Sequence, residues 1–254
     1  MNRESESESI DVKVLVEKFI TRWRWFAVSV PLCLVIALLI CQSRVPIYNV
    51  TGKVMISDSK KGELGTNVMM KELGLAAADM FVENELVELQ SKNLMREVVE
   101  ELDLNVCYVR EGFLRDRELY NDSPVKVLVD NPGEIRDTSF HVLLDTANLV
   151  ILMNLDGEKM WSGHYSESVP MGDYNLSIEP NRKVTSKEKI RVDLSSFRKT
   201  ANSFSGNLNV QILVKNTNSV LVSLKDAVPA RGIAVINALV KRYNQNGIDN
   251  KRIV

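Results

Sequence analysis

The stretch Trp25 to Ser43, WFAVSVPLCLVIALLICQS, carries no charge and lies between Arg24 and Arg44. As a helix it would be roughly 28 Å long, close to the ~30 Å hydrocarbon core of a bilayer. A helix apolar on every face needs lipid or a large protein around it, and 254 residues offer little protein to surround it. The segment therefore reads as one membrane crossing. Ser29 can hydrogen-bond back to the helix, Pro31 is tolerated near a helix start in lipid, and Trp23 and Trp25 sit at headgroup depth beside Arg22 and Arg24. A cleaved secretory signal fits less well, because the leader begins with the acidic MNRESESESI and Ile40-Cys41 offers no small-residue cleavage site. Lys13, Lys18, Arg22 and Arg24 precede the helix, against Arg44 and Lys53 after it, which predicts a cytoplasmic N-terminus and an exported remainder. The expected organisation is a cytoplasmic segment at 1–24, a transmembrane helix at 25–43 and an exported domain at 44–254.

The 32 Lys and Arg nearly cancel the 33 Asp and Glu, so the chain lacks the basic surplus of a nucleic-acid binder. With 45% hydrophobic residues it can bury a core, and with 3 cysteines it is not a disulfide-built scaffold. Cys33 and Cys41 fall in the apolar run, which leaves Cys107 as the one exported thiol, expected to be buried and inert.

Ile10 to Ile20 forms a short amphipathic segment before the membrane helix, and Tyr48, Val50, Val54 and Ile56 fall in phase with a period of two, a strand. Residues 57–65 read as a loop, and 67–80 contain a short helix. Phe81 to Leu104 is the strongest helical pattern of the exported part. Val82, Leu86 and Leu89 form one stripe and Leu94, Val98 and Leu102 another, displaced across residues 90–93, so a break is expected near Ser91. Glutamates 83, 85, 88, 97, 100 and 101 take mostly its solvent side. Beyond it come strands at 125–129, around Phe140 to Leu144, at 149–153, at 159–165 after the hairpin signal Asp156-Gly157, and at 172–178. These make a β-rich region at about 135–180, followed by a charged connection from Asn181 to Lys199. Leu208, Val210, Ile212 and Val214 alternate, Val220 to Leu224 follows a turn at Asn216 to Asn218, and Asp226 caps a last helix with Pro229 in its first turn and Ile233, Ile236, Val240 and Tyr243 as its apolar stripe.

The catalytic inventory is thin. His141 and His164 have no metal-ligand spacing and read as structural or surface residues. The phosphate loop, nucleophile elbow, dinucleotide turn and kinase signatures are absent from these residues. Trp161 and Tyr174 could stack on a sugar ring, but aromatics at strand positions are more often core. The expectation is no catalytic residue, no metal site, no cofactor and no enzymatic activity of this chain.

The order of these elements resembles the polysaccharide co-polymerase family, of the Wzz or chain-length-determinant type, and especially the version at the N-terminus of bacterial tyrosine autokinases. The resemblance lies in Tyr48-Asn-Val50-Thr-Gly-Lys-Val54-Met-Ile56, in Val82-Glu-Asn-Glu-Leu86 with Leu89-Gln-Ser-Lys-Asn-Leu94, and in Val98-Val-Glu-Glu-Leu102-Asp-Leu104. It continues in Leu119-Tyr-Asn-Asp-Ser-Pro124, in Asp226-Ala-Val-Pro-Ala230, and in Asn237, Leu239 and Tyr243, and spans most of residues 10–247. The β-rich region looks like the insertion carried by Bacteroidetes versions. The resemblance implies an α+β periplasmic domain behind one transmembrane helix of the inner membrane, assembled into homo-oligomeric rings that govern polysaccharide chain length in O-antigen, capsule or exopolysaccharide synthesis. The partners it implies are the polymerase, the growing glycan and the lipid bilayer; helices 83–104 and 226–246 are the candidates for the protomer interface. The family normally closes with a long coiled helix and a second span, and the autokinase version adds a kinase domain. Their absence here leaves open an N-terminal sensor half of such a kinase, or a short member of the family. A periplasmic adaptor of an export pump, also anchored once and β-rich, is a further alternative, although it calls for a longer unbroken helical hairpin.

Overall fold

The computed structural model describes residues 22–55, 85–131, 135–145, 148–213 and 219–252. The expected segments at 10–20, 57–65 and 67–80 lie outside these residues, as does the turn at 216–218. The chain divides into two compact units, Met1–Val45 and Pro46–Val254.

The first unit contains α1, Trp23–Ser43. It is 21 residues long, and its most apolar 18 residues have a mean hydropathy of 2.3 with none buried by protein, so it is long and apolar enough to cross a membrane. Ser43 Oγ donates to Leu39 O at 2.8 Å, and Ser29 Oγ to Phe26 O at 3.5 Å. These bonds satisfy both hydroxyls within the helix, which hydrocarbon surroundings would require.

The second unit is α+β and holds two apolar cores. The first is built on a three-stranded antiparallel sheet ordered β1-β12-β11: Tyr48–Met55, Ser219–Asp226 and Leu208–Ile212. β1 pairs with β12 along its whole length, from Tyr48↔Asp226 to Met55↔Ser219, so the two ends of the unit meet in one sheet. Val220, Val222 and Leu224 of the central strand are fully buried, as alternation against a helix layer requires. That layer comprises α2 (Lys92–Glu101), α3 (Phe197–Asn207) and α4 (Pro229–Arg252). A helical segment at 85–89 precedes α2, with the expected break at Gln90 and Ser91, and it lets Leu89 and Leu94 both face this core despite their changed phase. The buried stripe of α4 is Val235, Ile236, Ala238 and Leu239. This corrects the expected stripe: Ile233 is half exposed and Val235 takes its place, because α4 rests on β1 and β12 by the face that carries Gly232 and Ile236.

The second core lies between a six-stranded sheet, ordered β3-β2-β10-β5-β6-β7, and a three-stranded sheet, β4-β9-β8. The strands are β2 (Val106–Arg110), β3 (Arg117–Glu118), β4 (Val125–Val129), β5 (Thr138–Leu144) and β6 (Leu149–Met153). They continue as β7 (Lys159–His164), β8 (Ser168–Pro170), β9 (Asn175–Pro180) and β10 (Glu188–Leu194). Phe140, Val142, Leu152, Ile190 and Val192 from one sheet meet Val127, Leu176 and Ile178 from the other in one buried cluster. Tyr108 Oη accepts a hydrogen bond from Val127 N at 2.8 Å and ties the two sheets together. Gly157 adopts φ 87° in the β6–β7 hairpin, where a side chain would be strained.

The strands of this core run from Val106 to Leu194, beyond 135–180 on both sides. The largest difference is β10. Asn181 to Lys199 was expected to be a charged connection, yet residues 188–194 form an inner strand of the six-stranded sheet. Its alternation is regular, with Ile190, Val192 and Leu194 inward and Lys189, Arg191 and Asp193 outward. The density of charge on the outward face disguised it. α3 was likewise unforeseen, its apolar content being sparse. Its start is nonetheless capped, since Ser196 Oγ accepts from Lys199 N at 3.3 Å.

One side chain joins the two cores. Arg231, in the first turn of α4, holds Asp226 of β12 by two bonds, Nη2 to Oδ1 at 2.7 Å and Nε to Oδ2 at 2.8 Å, and also reaches Glu118 of β3. Its guanidinium lies 5.5 Å from the Phe204 ring centroid. Asp226 stands before the helix rather than at its first turn, accepting from Val228 N at 2.7 Å.

Candidate functional site

The residues singled out for chemistry from sequence fall apart in space. Tyr174 is buried in the second core and Trp161 packs against it, so neither presents a free ring to a sugar. His164 is exposed, 3.4 Å from Glu167. Cys107 lies in β2, where burial pushes its thiol up to about 11, well away from the thiolate form that reacts. Of the glutamates, Glu101 takes hydrogen bonds from Lys241 and Arg242 of α4, and Glu85 accepts from Tyr243 Oη. Glu85 and Glu101 therefore join the 85–101 region to α4, while Glu88 and Glu100 lie exposed as expected. Both helices expected at a protomer interface spend their apolar stripes on this core, leaving Val87, Ile233 and, near the end of α4, Ile248 as exposed large apolar positions among the described residues.

His141 is the exception. It is 4% exposed on β5, facing away from the second core, with Nε2 3.0 Å from Glu111 Oε1 and Nδ1 3.3 Å from the Asn154 carbonyl oxygen. Both partners are acceptors, so whichever ring nitrogen carries a proton has an oxygen to donate to. The contact with His141 is the main cause that holds the Glu111 carboxyl below its ordinary value.

Strand register assembles a polar row around this pair. β10 runs antiparallel to β5 with Arg191 opposite His141 and Asp193 opposite Ser139, placing all four on the outward face of the sheet. Arg191 bonds Asp193 through Nε at 3.2 Å, and its Nη1 lies 3.3 Å from Glu111 and 3.2 Å from Asp116. Burial works against the Arg191 charge, but Asp193 and Asp116 outweigh it and raise its pKa. At the end of the row Asp137 receives Lys199 Nζ at 2.7 Å and the Ser196 backbone N–H at 3.3 Å.

All of these side chains but Asp116 border an open cleft of about 610 Å³, completed by Thr138, Leu155, Leu194 and Ser195. Its volume lies in the range of small-molecule sites, roughly 300–1,000 Å³. What it offers is a graded set of donors and acceptors. His141 has both ring nitrogens engaged, and Ser139 and Ser195 have no base positioned against them, so a nucleophile paired with a general base does not occur here. Among the described residues, His, Cys, Asp and Glu do not group as a metal site. The cleft was not anticipated from sequence. Its pieces come from the β2–β3 loop, β5, β10 and α3, and the signal that could have found it is the alternation of Lys189, Arg191 and Asp193 against Ile190 and Val192. No protein-family model matches this chain, and no curated protein matches it.

Proposed function

We propose that this chain is a membrane-anchored, homo-oligomeric regulator of polysaccharide chain length, with its N-terminus in the cytoplasm and the unit after Arg44 in the periplasm, acting through assembly rather than catalysis. The observation that carries the reading is the element order around α1. A helix of membrane-spanning length and hydropathy is followed, after residues 44–47, by β1, which pairs with β12 just before the Asp226–Pro229 turn into α4. The broken helix at 85–101 packs against that same α4. This is the order of strand, interrupted acidic helix and closing helix on which the resemblance to the co-polymerase family rests.

Anchoring in a plane raises the effective concentration of protomers, so weak lateral contacts between periplasmic units suffice to assemble them. An assembly of this kind presents repeated surfaces to the polymerase and the growing glycan and influences when elongation stops. The test is deletion of the gene, followed by gel electrophoresis of the surface polysaccharide, together with crosslinking in native membranes. The expected outcome is an altered length distribution and a ladder of crosslinked multimers that stays with carbonate-washed membranes. An unchanged distribution, or a protein released by carbonate, overturns the reading.

A further inference from the structure

The outward face of the six-stranded sheet carries a cleft whose lining suits one chemical class of ligand. Its walls alternate carboxylates with basic side chains: Glu111 with His141, Asp193 with Arg191, and Asp137 with Lys199. Three carboxylates stand against the Arg191 and Lys199 cations and the His141 ring, so the cleft has no cationic surplus to draw in a phosphate or a polyanion. Paired carboxylates and guanidinium groups keep further capacity, because each carboxylate oxygen accepts more than one bond and Arg has five N–H donors. Ser139 and Ser195 add hydroxyls that make no side-chain hydrogen bond among the described residues. A partner suited to such a surface is not an anion and presents donors and acceptors close together on the same edge. That describes vicinal hydroxyls.

Two apolar groups complete the match. Leu155, half exposed in the β6–β7 turn, lines the cleft. Phe113 is fully exposed on the β2–β3 loop, between Glu111, which lines the cleft, and Asp116, which holds Arg191. The loop is tightly wound, since a Cβ on Gly112 would lie 2.3 Å from the Arg115 carbonyl oxygen. Its two ends, Glu111 and Asp116, are held by the same Arg191 guanidinium. A sugar ring has hydroxyls at its rim and an apolar C–H face, and polar walls beside an exposed aromatic ring provide for both.

We infer that this cleft binds a short neutral saccharide segment, its hydroxyls on the Arg191, Asp193, Ser139 and Glu111 row and a ring face on Phe113. This deepens the proposed role in polysaccharide synthesis and rests on it for the source of the ligand, but the binding itself is tested independently. The full chain is taken in dodecylphosphocholine micelles, which carry no sugar headgroup. Neutral tetrasaccharides of glucose, mannose, galactose and N-acetylglucosamine are titrated by calorimetry, alongside tetragalacturonate and inorganic phosphate. At least one neutral tetrasaccharide is expected to bind, about tenfold more weakly to Ser139→Ala and to Phe113→Ser, which corresponds to about 1.4 kcal/mol. Phe113 is fully exposed, so its replacement leaves folding intact and keeps the test meaningful if Ser139→Ala misfolds. Absence of neutral binding, binding unmoved by either substitution, or tighter binding of tetragalacturonate or phosphate overturns the assignment. If a saccharide binds but gene deletion leaves polysaccharide lengths unchanged, the regulatory reading alone fails. If deletion alters lengths but no neutral saccharide binds, the cleft alone fails.

Discussion

Gly232 of α4 and Val50 of β1 approach so closely that a Cβ on the glycine would lie 2.8 Å from Val50 Cγ2 and 3.3 Å from its Cβ. The reciprocal contact holds one turn on, where a Cβ on Gly52 would lie 2.9 Å from Ile236 Cγ2. Two glycines thus let the last helix settle on the first strand. Replacement of Gly232 sets two effects against each other. Alanine gains about 1 kcal/mol of helix propensity over glycine, while overpacking costs about 1–3 kcal/mol. Gly232→Ala is therefore a small net change, but Gly232→Val adds branches to the clash and brings little propensity. The expected result is a loss of about 1–3 kcal/mol in urea unfolding for Gly232→Val, partly restored by Val50→Ala. A neutral Gly232→Val contradicts the close approach.

Arg231 is the next position where a single change is expected to matter. The Asp226 side chain it grips is 1% exposed. Burial raises the Asp226 carboxyl and lowers the Arg231 guanidinium, each charge being disfavoured without the other. Arg231→Ala leaves Asp226 and Glu118 without their cation, and stripping one partner from a buried pair costs about 3–5 kcal/mol. Arg231→Lys is expected to recover little, since one ammonium cannot make the two-pronged contact with Asp226 while also reaching Glu118. Thermal unfolding followed by circular dichroism measures both. Full rescue by lysine contradicts the planar, two-pronged role.

Parts of this architecture were visible in the chain before any coordinates, and the reason differs from element to element. The membrane-length helix and β1 read correctly because one is uniformly apolar and the other alternates with few charges. The break at Ser91 was legible because the apolar phase slips there. β10 was hidden although Ile190, Val192 and Leu194 alternate regularly, because residues 181–199 carry enough charge to resemble a linker. Missing that strand concealed the cleft as well. Arg191 and His141 lie fifty positions apart, and it is the antiparallel register of β10 on β5 that sets them side by side. Ile236 and Tyr243 of the expected α4 stripe do meet the core and Ile233 does not, because periodicity fixes the spacing of a helix face and not its rotation. That rotation is set by Gly232 and Gly52, whose meaning lies in the partner they admit.

Glu101 supplies a pH dependence of definite sign. Hydrogen bonds from Lys241 and then Arg242 hold its carboxyl below the ordinary value of 4.5. The unfolded chain therefore takes up a proton at higher pH than the folded one. The contribution to stability is complete above pH 4.5 and disappears as the pH falls through the lowered folded value. Because the groups stay partly open to solvent, the effect is modest, on the order of 1 kcal/mol or less. Urea midpoints of wild type and Glu101→Gln are expected to differ above pH 5 and to converge as acid is added. A difference that grows in acid runs against the assigned direction.

Cys107 provides a test of the β2–β10 packing that leaves the helices untouched. It pairs with Asp193 in register, and burial is the main cause that moves its thiol from 9.0 to about 11. The thiolate is the nucleophile, so a rise of that size leaves about a hundredfold fewer reactive species at pH 8 than an ordinary thiol has. Limited access slows attack further, which makes the hundredfold a lower bound for the folded state. In the full chain carrying Cys33→Ser and Cys41→Ser, Cys107 is the one remaining thiol. Iodoacetamide labelling at pH 8 is expected to be at least about a hundredfold slower in micelles than in 8 M urea. The rate should climb with each pH unit up to about 11, since the thiolate fraction climbs with it. Comparable rates in the folded and denatured chains would show Cys107 in solvent, and would remove β2 from its place beside β10 on the sheet that bears the cleft.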